Sequence, residues 1–192
     1  VLNNWLEEMP NEKGNINLQE TKIGNKLIFV YAGCMGPLQG VDILIDLAKR
    51  LYHRKDIGFL FVGRGSRVPH LRKLAEIYGL DNVIFFDEVP PSEIPHLYSQ
   101  CHIGMVALDP RHKTHNIPGK FLSYMRYGLP TLAHVNPNND LITLIKKEKV
   151  GRACIRPSDT DELQHHAEAL IKEVNIDMKK RCKELAEKLF SP

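Results

Sequence analysis

The chain has 192 residues, a hydrophobic content of 43% and a formal net charge of +3. This length and composition can form one domain with a sizeable core. The charge is too small to favour a nucleic-acid partner, for which a clustered basic face is expected. The cysteines lie too far apart to suggest a zinc site or a disulfide framework, so we expect free thiols in a reducing compartment. They are Cys34, Cys101, Cys154 and Cys182.

No apolar run approaches the roughly 18 residues needed to span a bilayer, and the first residues do not form a signal peptide. We therefore expect a cytoplasmic protein. Its mild positive charge would allow peripheral association with the inner face of an anionic membrane. Since Val1 is not an initiator methionine, we expect the chain to be a piece of a longer protein.

Residues 1–26 are largely polar and are predicted to be a linker or N-terminal tail with an aromatic anchor at Trp5. Six short apolar runs follow and alternate with segments of helical periodicity. The predicted strands are 27–33, 58–62, 83–86, 103–108, 129–135 and 150–155. The predicted helices are 41–54, 68–78, a short helix capped by Ser92, 117–127, 140–149, a helix capped by Ser158 that ends near Glu173, and 177–190.

This alternation predicts right-handed crossovers and a doubly wound, parallel α/β sheet of about six strands. We assign residues 27–173 to this Rossmann-like domain and residues 174–192 to a C-terminal helix. Lys and Glu at i, i+4 spacing predict that this helix is solvated, with docking of a partner as the alternative. Ligands of such a sheet bind beyond the carboxyl ends of the strands. The loops at that edge are 34–40, 63–67, 87–91, 109–116 and 134–139.

The segment 114–135 combines a loop, a helix, a glycine stop and a strand. Asn116 is the predicted N-cap of the helix, Pro118 lies in its first turn and Gly128 ends it. The predicted core face carries Ile117, Phe121, Tyr124 and Met125. The opposite face has a single Lys near the positive end of the helix dipole, which suits an anion, although an ordinary amphipathic helix fits the spacing equally well. That face carries Gly119, Lys120, Ser123 and Tyr127.

Glycine-containing turns follow the first two predicted strands. Gly33, Gly36 and Gly40 do not match the dinucleotide fingerprint G-x-G-x-x-G. Glycines at a helix start still let backbone N–H groups approach a phosphate, and a purely conformational turn is the alternative. After the second strand, Arg64 and Arg67 could bind phosphate oxygens or remain solvated at the surface.

Glu88 and Glu93 could bond a base or a hydroxyl, although Glu93 also suits the first turn of its helix by charge alone. Two histidine pairs lack a convincing third ligand at regular spacing, so we expect no metal site. They are His112 with His115, and His165 with His166. The nucleophile elbow G-x-S-x-G and the P-loop are absent, which argues against hydrolases and kinase-type NTPases.

Several motifs, taken in order, resemble one known family. They are VYAG at 30–33, QG at the start of the first helix, FVGRG at 61–65, LDNVIFFDEVPPSEIPHLYSQCHIGMVAL at 80–108 and IPGKFLSYMRYGLPTLA at 117–133. Together they resemble the C-terminal nucleotide-sugar-binding domain of retaining glycosyltransferases with two Rossmann-like domains. This is the GT-B, group 1 or family 4 type, in its bacterial polysaccharide and O-antigen branch. Asn4 and Trp5 are similar to the Asn-Trp found where the first domain meets the second.

The resemblance implies that the chain binds a nucleotide-sugar donor, with UDP-sugars as the expected class and no metal or other cofactor. The donor diphosphate is expected near Gly36, Arg64, Gly119 and Lys120. The sugar and ribose are expected near His115, Asn116 and Ser123, and the base near Val89 and Pro90. The chain also departs from the family pattern. Two Glu seven residues apart are replaced by His115 and Ser123, and the usual Arg and Lys of the first turn by Cys34 and Gln39.

From these features we expect the donor half of a glycosyltransferase of surface polysaccharide synthesis. It would transfer a hexosyl or N-acetylhexosaminyl group to a lipid-linked or growing polysaccharide acceptor. Its partner would be an N-terminal acceptor-binding domain of the full-length chain. That domain would also supply catalytic groups, so this chain alone would be inactive. The alternatives are a nucleotide-sugar epimerase of the same architecture and a non-catalytic nucleotide-binding module, which the residues at His115 and Ser123 would suit.

Overall fold

The computed structural model describes residues 14–109, 111, 117–154 and 160–190. Six strands of this part of the chain form one sheet: β1 (Leu27–Ala32), β2 (Ile57–Val62), β3 (Val83–Phe86), β4 (Ile103–Ala107), β5 (Thr131–His134) and β6 (Gly151–Cys154). Their order is β3-β2-β1-β4-β5-β6, and every neighbouring pair is parallel. The predicted doubly wound sheet is therefore confirmed.

Helices cover both faces of the sheet. They are α1 (Asp42–Arg50), α2 (Val68–Ile77), α3 (Ile94–Ser99), α4 (Gly119–Arg126), α5 (Asp140–Glu148), α6 (Thr160–Glu173) and α7 (Ile176–Phe190). Short 3-10 turns occupy Leu18–Glu20, Pro37–Gln39 and Pro91–Glu93. Buried side chains of α1, α2 and α6 form the core on one face, and those of α3, α4, α5 and most of α7 form it on the other.

Strand β1 lies inside the sheet, between β2 and β4, and its side chains contribute to both cores. Ile28 and Val30 belong to the core under α4, whereas Phe29 and Tyr31 belong to the core under α1, because successive side chains of a strand point to opposite faces. Phe29 stacks on Phe59 of β2 with ring centroids 5.1 Å apart. Burial on both faces explains why this strand is a continuous apolar run in the sequence.

Both ends of the described chain also contribute to the core. Ile16, Leu18 and Ile23, which precede β1 in the segment predicted as a linker, are buried in the core under α4. In α7, Cys182 and Leu185 are buried in the same core. The prediction of a solvated final helix is therefore wrong for one side of α7, which packs against α4.

Two predicted N-caps are wrong. Asn116 lies outside the described residues, and the N-cap position of α4 belongs to Pro118, which is extended (φ −63°, ψ 136°) and forms no side-chain cap. Ser92 lies inside a 3-10 turn that starts at Pro91, and the N-cap position of α3 belongs to Glu93. Pro118 is the last extended residue before α4, and Pro91 is the first residue of the turn that leads into α3, so prolines mark both helix starts.

Candidate functional site

The sheet has a crevice between β1 and β4. The chain builds β1, β2 and β3 in one direction and then returns to the other side of β1 with β4, so the strand order reverses there. β1 pairs with β2 over six residues but with β4 over two, Phe29 with Ile103 and Val30 with Gly104. The carboxyl ends of β1 and β4 therefore separate, which is where ligands of doubly wound sheets bind.

Tyr124 of α4 occupies the base of this crevice. Its hydroxyl accepts a hydrogen bond from the Ala32 N–H at 3.2 Å and lies 3.2 Å from the Val30 carbonyl and 3.1 Å from the Met105 carbonyl, which can accept its proton. These backbone groups belong to β1 and β4 at the point where the two strands stop pairing. A Cβ on Gly104 would lie 2.4 Å from the Tyr124 ring, so only glycine leaves room for it.

A cavity of about 390 Å³ lies at the carboxyl ends of β1 and β2, and Ala32, which bonds Tyr124, lines it. This volume is within the range of small-molecule sites. The ends of β1 and β2, the loop after β3, α3 and the first turns of α4 line it. The lining residues are Ala32, Gly33, Val62, Gly63, Glu88, Val89, Pro91, Ile94, Tyr98, Gly119, Lys120 and Ser123.

Lys120 is the cation of this cavity. Its Nζ lies over the Tyr31 ring, 4.7 Å from the centroid, and its side chain passes Gly33. Burial lowers the pKa of its ammonium, and the nearby Cys34 thiol acts in the opposite direction. None of the ion pairs among the described residues involves Lys120. A partly desolvated cation without a carboxylate partner can bind an anion strongly.

Lys120 also lies in the first turn of α4, where the helix leaves N–H groups without intrahelical partners. These groups and the helix dipole favour negative charge. Gly119, the first residue of the helix, is exposed, and a Cβ there would meet nothing within 4 Å. The space beside the ammonium is therefore open to a ligand.

The loops after β1 and β2 hold each other in place at the floor of the cavity. The Met35 N–H donates to the Arg64 carbonyl at 2.8 Å, and the Arg67 N–H donates to the Met35 carbonyl at 3.0 Å. Gly63 has φ 140°, and a Cβ there would lie 2.1 Å from the Gly33 carbonyl oxygen. Any side chain at Gly63 would push the two loops apart.

The outer wall of the cavity combines one carboxylate with an apolar surface. Glu88 forms an ion pair with Arg64, with Nε and Oε2 3.0 Å apart, and both side chains are largely exposed. Val89, Pro91 and Ile94 supply the apolar surface next to it.

Tyr98 and Ser123 form a polar contact between α3 and α4. Their hydroxyls are hydrogen-bonded to each other, and burial raises the pKa of the Tyr98 phenol while the bond from Ser123 opposes that rise. The Tyr98 ring also contacts those of Tyr124 and Tyr127, with centroids 5.4 and 5.5 Å away. Ser123 is thus tied to the packing between the two helices.

The structure brings together four of the residues predicted for the site, which are Gly119, Lys120, Ser123 and Val89. Arg64 lies at the rim, bound to Glu88, and Pro90 is next to the lining residues without being one of them. Gly36 lies in the following turn, where its N–H donates to Gln39 Oε1 at 3.0 Å. Other predicted residues lie outside the described part of the chain: Asn4, Trp5, His112, His115, Asn116 and Ser158.

Glu93 does not line the cavity and is bonded to the segment before β1. Its carboxylate accepts two hydrogen bonds from Asn15, from the backbone N–H and from the side-chain amide, each 2.8 Å long. This fastens the segment before β1 to α3.

Arg67 bonds Asp42 of α1, which also bonds His70 at 2.8 Å, so Arg67 is engaged between helices.

Three tyrosines were not predicted as site residues: Tyr31 under the Lys120 ammonium, Tyr98 against Ser123, and Tyr124 in the crevice, which was predicted only as a core residue. The available signal was their position in segments that are otherwise apolar. A tyrosine in such a segment needs a partner for its hydroxyl, which is most easily found at the edge of a core or at a site.

Two kinds of feature are absent from the described residues. Within residues 14–109, 111, 117–154 and 160–190, no group of three or more His, Cys, Asp or Glu side chains is arranged to hold a metal ion. In the same part of the chain, no helix has both the length and the apolar character needed to cross a membrane.

The sequence matches the family described as Glycosyl transferases group 1 over residues 26–173. One curated relative is WcaI of Escherichia coli (strain K12), which is named as a glycosyl transferase of colanic acid biosynthesis. It is 26% identical over 139 residues, which are 72% of this chain and 34% of the relative. The chain thus spans about a third of this relative's length.

Solved structures share the fold. HepE of Anabaena in complex with UDP and glucose has a TM-score of 0.73 and 18% identity, over 88% of this chain and 45% of HepE. The catalytic domain of the cholesterol-α-glucosyltransferase of Helicobacter pylori has a TM-score of 0.71 and 14% identity, over 85% of this chain and 98% of that one. The six-stranded Rossmann-like sheet is that of GT-B glycosyltransferases, and the match over residues 26–173 shows that the chain belongs to the group 1 glycosyltransferase family.

Proposed function

We propose that this chain binds the diphosphate of a nucleotide-sugar donor, with UDP-sugars as the expected class, in the cavity at the carboxyl ends of β1 and β2. The observation that carries this proposal is Lys120, a partly buried ammonium that has no ion-pair partner among the described residues and faces a cavity of about 390 Å³. A nucleoside diphosphate supplies the negative charge that this ammonium lacks.

The same arrangement suits the chemistry of sugar transfer. When the bond between the sugar and the diphosphate breaks, negative charge grows on the leaving diphosphate. In the proposed complex, Lys120 and the N–H groups at the start of α4 face that charge. The proposed role of Lys120 is therefore to stabilise the leaving group, without a metal ion.

We further propose that the chain is the donor half of a retaining glycosyltransferase. An N-terminal domain of the full-length protein would bind a lipid-linked or growing polysaccharide acceptor and supply catalytic groups. The proposed location is the cytoplasm, with peripheral association at the inner face of the membrane. The name of WcaI, which refers to colanic acid biosynthesis, and the UDP and glucose bound to HepE support the polysaccharide and UDP-sugar parts of this proposal.

The test is the affinity of the chain for UDP, GDP and dTDP, measured by titration calorimetry. Replacing Lys120 by Ala removes the cation, and we expect the affinity for the preferred diphosphate to fall about tenfold or more, as for the loss of a charged hydrogen bond. Lys49→Ala is the matched control, because Lys49 also lies over a tyrosine ring, Tyr78 at 3.8 Å, but on the exposed end of α1. Equal affinities of the wild type and Lys120→Ala for every diphosphate would refute the proposal.

A further inference from the structure

The polar side chains of the cavity differ in what they can bind. Among its described lining residues, four carry polar side chains: Glu88, Tyr98, Lys120 and Ser123. Tyr98 is buried and bonded to Ser123, so these two hydroxyls are engaged with each other. Lys120 can only donate hydrogen bonds, whereas the ionised Glu88 carboxylate can only accept them. A ligand with hydroxyl donors therefore finds its strong acceptor at Glu88.

The described lining of the cavity carries two charges of opposite sign, on different elements. Lys120 belongs to α4 and its side chain lies near Gly33, whereas Glu88 belongs to the loop after β3, next to Val89. A phosphate is attracted to the first, whereas the second, paired with Arg64, has no hydrogen-bond donor to offer a phosphate oxygen. A nucleotide in this cavity is thus oriented, with its phosphates towards Lys120 and its uncharged part towards Glu88.

We propose that Glu88 binds the ribose hydroxyls of the donor nucleotide and so makes the site selective for ribonucleotides over deoxyribonucleotides. This inference rests on the proposed function. Carboxylates bind ribose hydroxyls in other Rossmann-like folds, since the two oxygens of one carboxylate can accept bonds from adjacent hydroxyls. The apolar surface of Val89, Pro91 and Ile94 beside Glu88 then accommodates the base.

The ion pair with Arg64 leaves Glu88 available for this role. Arg64 and Glu88 have 81% and 55% of their side-chain surface exposed, and pairs with such exposure contribute little to stability. Arg64 Nε lies 3.0 Å from one carboxylate oxygen, Oε2, so the other oxygen remains available to a ligand. The pair positions the carboxylate at the rim without engaging it as a buried ion pair would.

The test compares UDP with 2′-deoxy-UDP, and GDP with 2′-deoxy-GDP, by calorimetry on the chain. We expect the wild type to bind the ribose form about tenfold more tightly, the effect of a hydrogen bond to a charged group. Glu88→Ala is expected to remove this preference by weakening the ribose form and leaving the deoxyribose form within about twofold. The ratio of the two affinities is the readout, since a general change of charge affects both forms equally.

Asp87→Ala is the matched control. Asp87 is the neighbouring carboxylate, its side chain is 98% exposed, it pairs with Arg72 and it does not line the cavity. The control should keep the wild-type ratio. Thermal melts of both variants should match the wild type, because both side chains are largely exposed.

An unchanged ratio in Glu88→Ala would overturn the ribose assignment while leaving the proposed function intact, provided that binding still depends on Lys120. Equal weakening of both forms would also overturn it, because a carboxylate that contacts the base or only alters the field does not distinguish the two sugars. If the wild type binds neither ribonucleoside diphosphate, the proposed function fails and this inference fails with it.

Discussion

The position of Lys120 over Tyr31 lowers the stability of the unliganded chain and at the same time provides a site for an anion. Burial disfavours the ammonium and lowers its pKa, and the Tyr31 ring compensates only in part. The family resemblance singles out Lys120, and its spacing on the helix agrees with an anion site. The sequence does not indicate that the side chain lies across β1 on an aromatic ring, because α4 and β1 are far apart in the chain.

Replacing Lys120 by Met is expected to stabilise the unliganded chain at neutral pH. The pKa of Lys120 is lower in the folded chain than in the unfolded chain, so the unfolded chain binds more protons between the two values and wild-type stability rises with pH there. The advantage of Lys120→Met should therefore shrink as pH rises through the lowered pKa. Urea unfolding from neutral to alkaline pH measures this, with Lys49→Met as the exposed control. A difference in free energy of unfolding between Lys120→Met and the wild type that does not change with pH would contradict the expectation.

Helix α4 contributes to the site through both of its faces. One face presents Gly119 and Lys120 to the cavity, and the other inserts Tyr124 between β1 and β4. The periodicity of the helix correctly predicts that Phe121, Tyr124 and Met125 are buried. It does not predict that the Tyr124 hydroxyl bonds backbone groups of two strands, since that depends on where the strands separate.

Removing this hydroxyl in Tyr124→Phe is expected to destabilise the chain by about 1–3 kcal/mol, because the Ala32 N–H and the two carbonyls lose a buried partner. Tyr127→Phe is the matched control on the same helix and should change stability by less than about 0.5 kcal/mol, since Tyr127 is only partly buried. Urea unfolding compares the two variants. Equal losses of stability in the two variants would show that the hydrogen bonds of the Tyr124 hydroxyl to β1 and β4 make no specific contribution to stability.

Helix α7 closes the core on the side of α4. Its Lys-rich sequence predicts a surface helix, yet Cys182, Leu185 and Ala186 are at most 5% exposed. A mixed-charge helix can bury a narrow apolar stripe while its remaining faces stay solvated. Together with the segment before β1, this helix extends the packed unit beyond the sheet and its crossover helices.

Two leucines of α7 make this packing testable. Leu185 is 2% exposed and Leu189 is 41% exposed. Leu185→Ala should lower the free energy of unfolding by about 2–5 kcal/mol, the usual cost of a cavity in a core, whereas Leu189→Ala should lower it by less than about 1 kcal/mol. Similar small losses for both would mean that α7 does not pack on α4 in solution.

The order of strands and helices follows from the sequence because apolar periodicity is a local property. All six predicted strands agree with the structure to within two residues at each end, and the edge of the sheet that carries the cavity follows from their parallel direction. Helix starts are less well predicted: Asn116 and Ser92 were chosen for their capping ability, but Pro118 and Pro91 set the backbone angles.

The tertiary structure alone reveals which side chains share the cavity. Ala32 bonds Tyr124 across 92 residues of sequence, and Asn15 bonds Glu93 across 78. Glu88 and Lys120 are likewise brought to one cavity from the loop after β3 and from α4. Such pairs depend on how the strands are ordered in the sheet, so no local pattern encodes them. Motif and periodicity thus single out Lys120, whereas its setting, above Tyr31 and in the same cavity as Glu88, comes from the packing of distant segments.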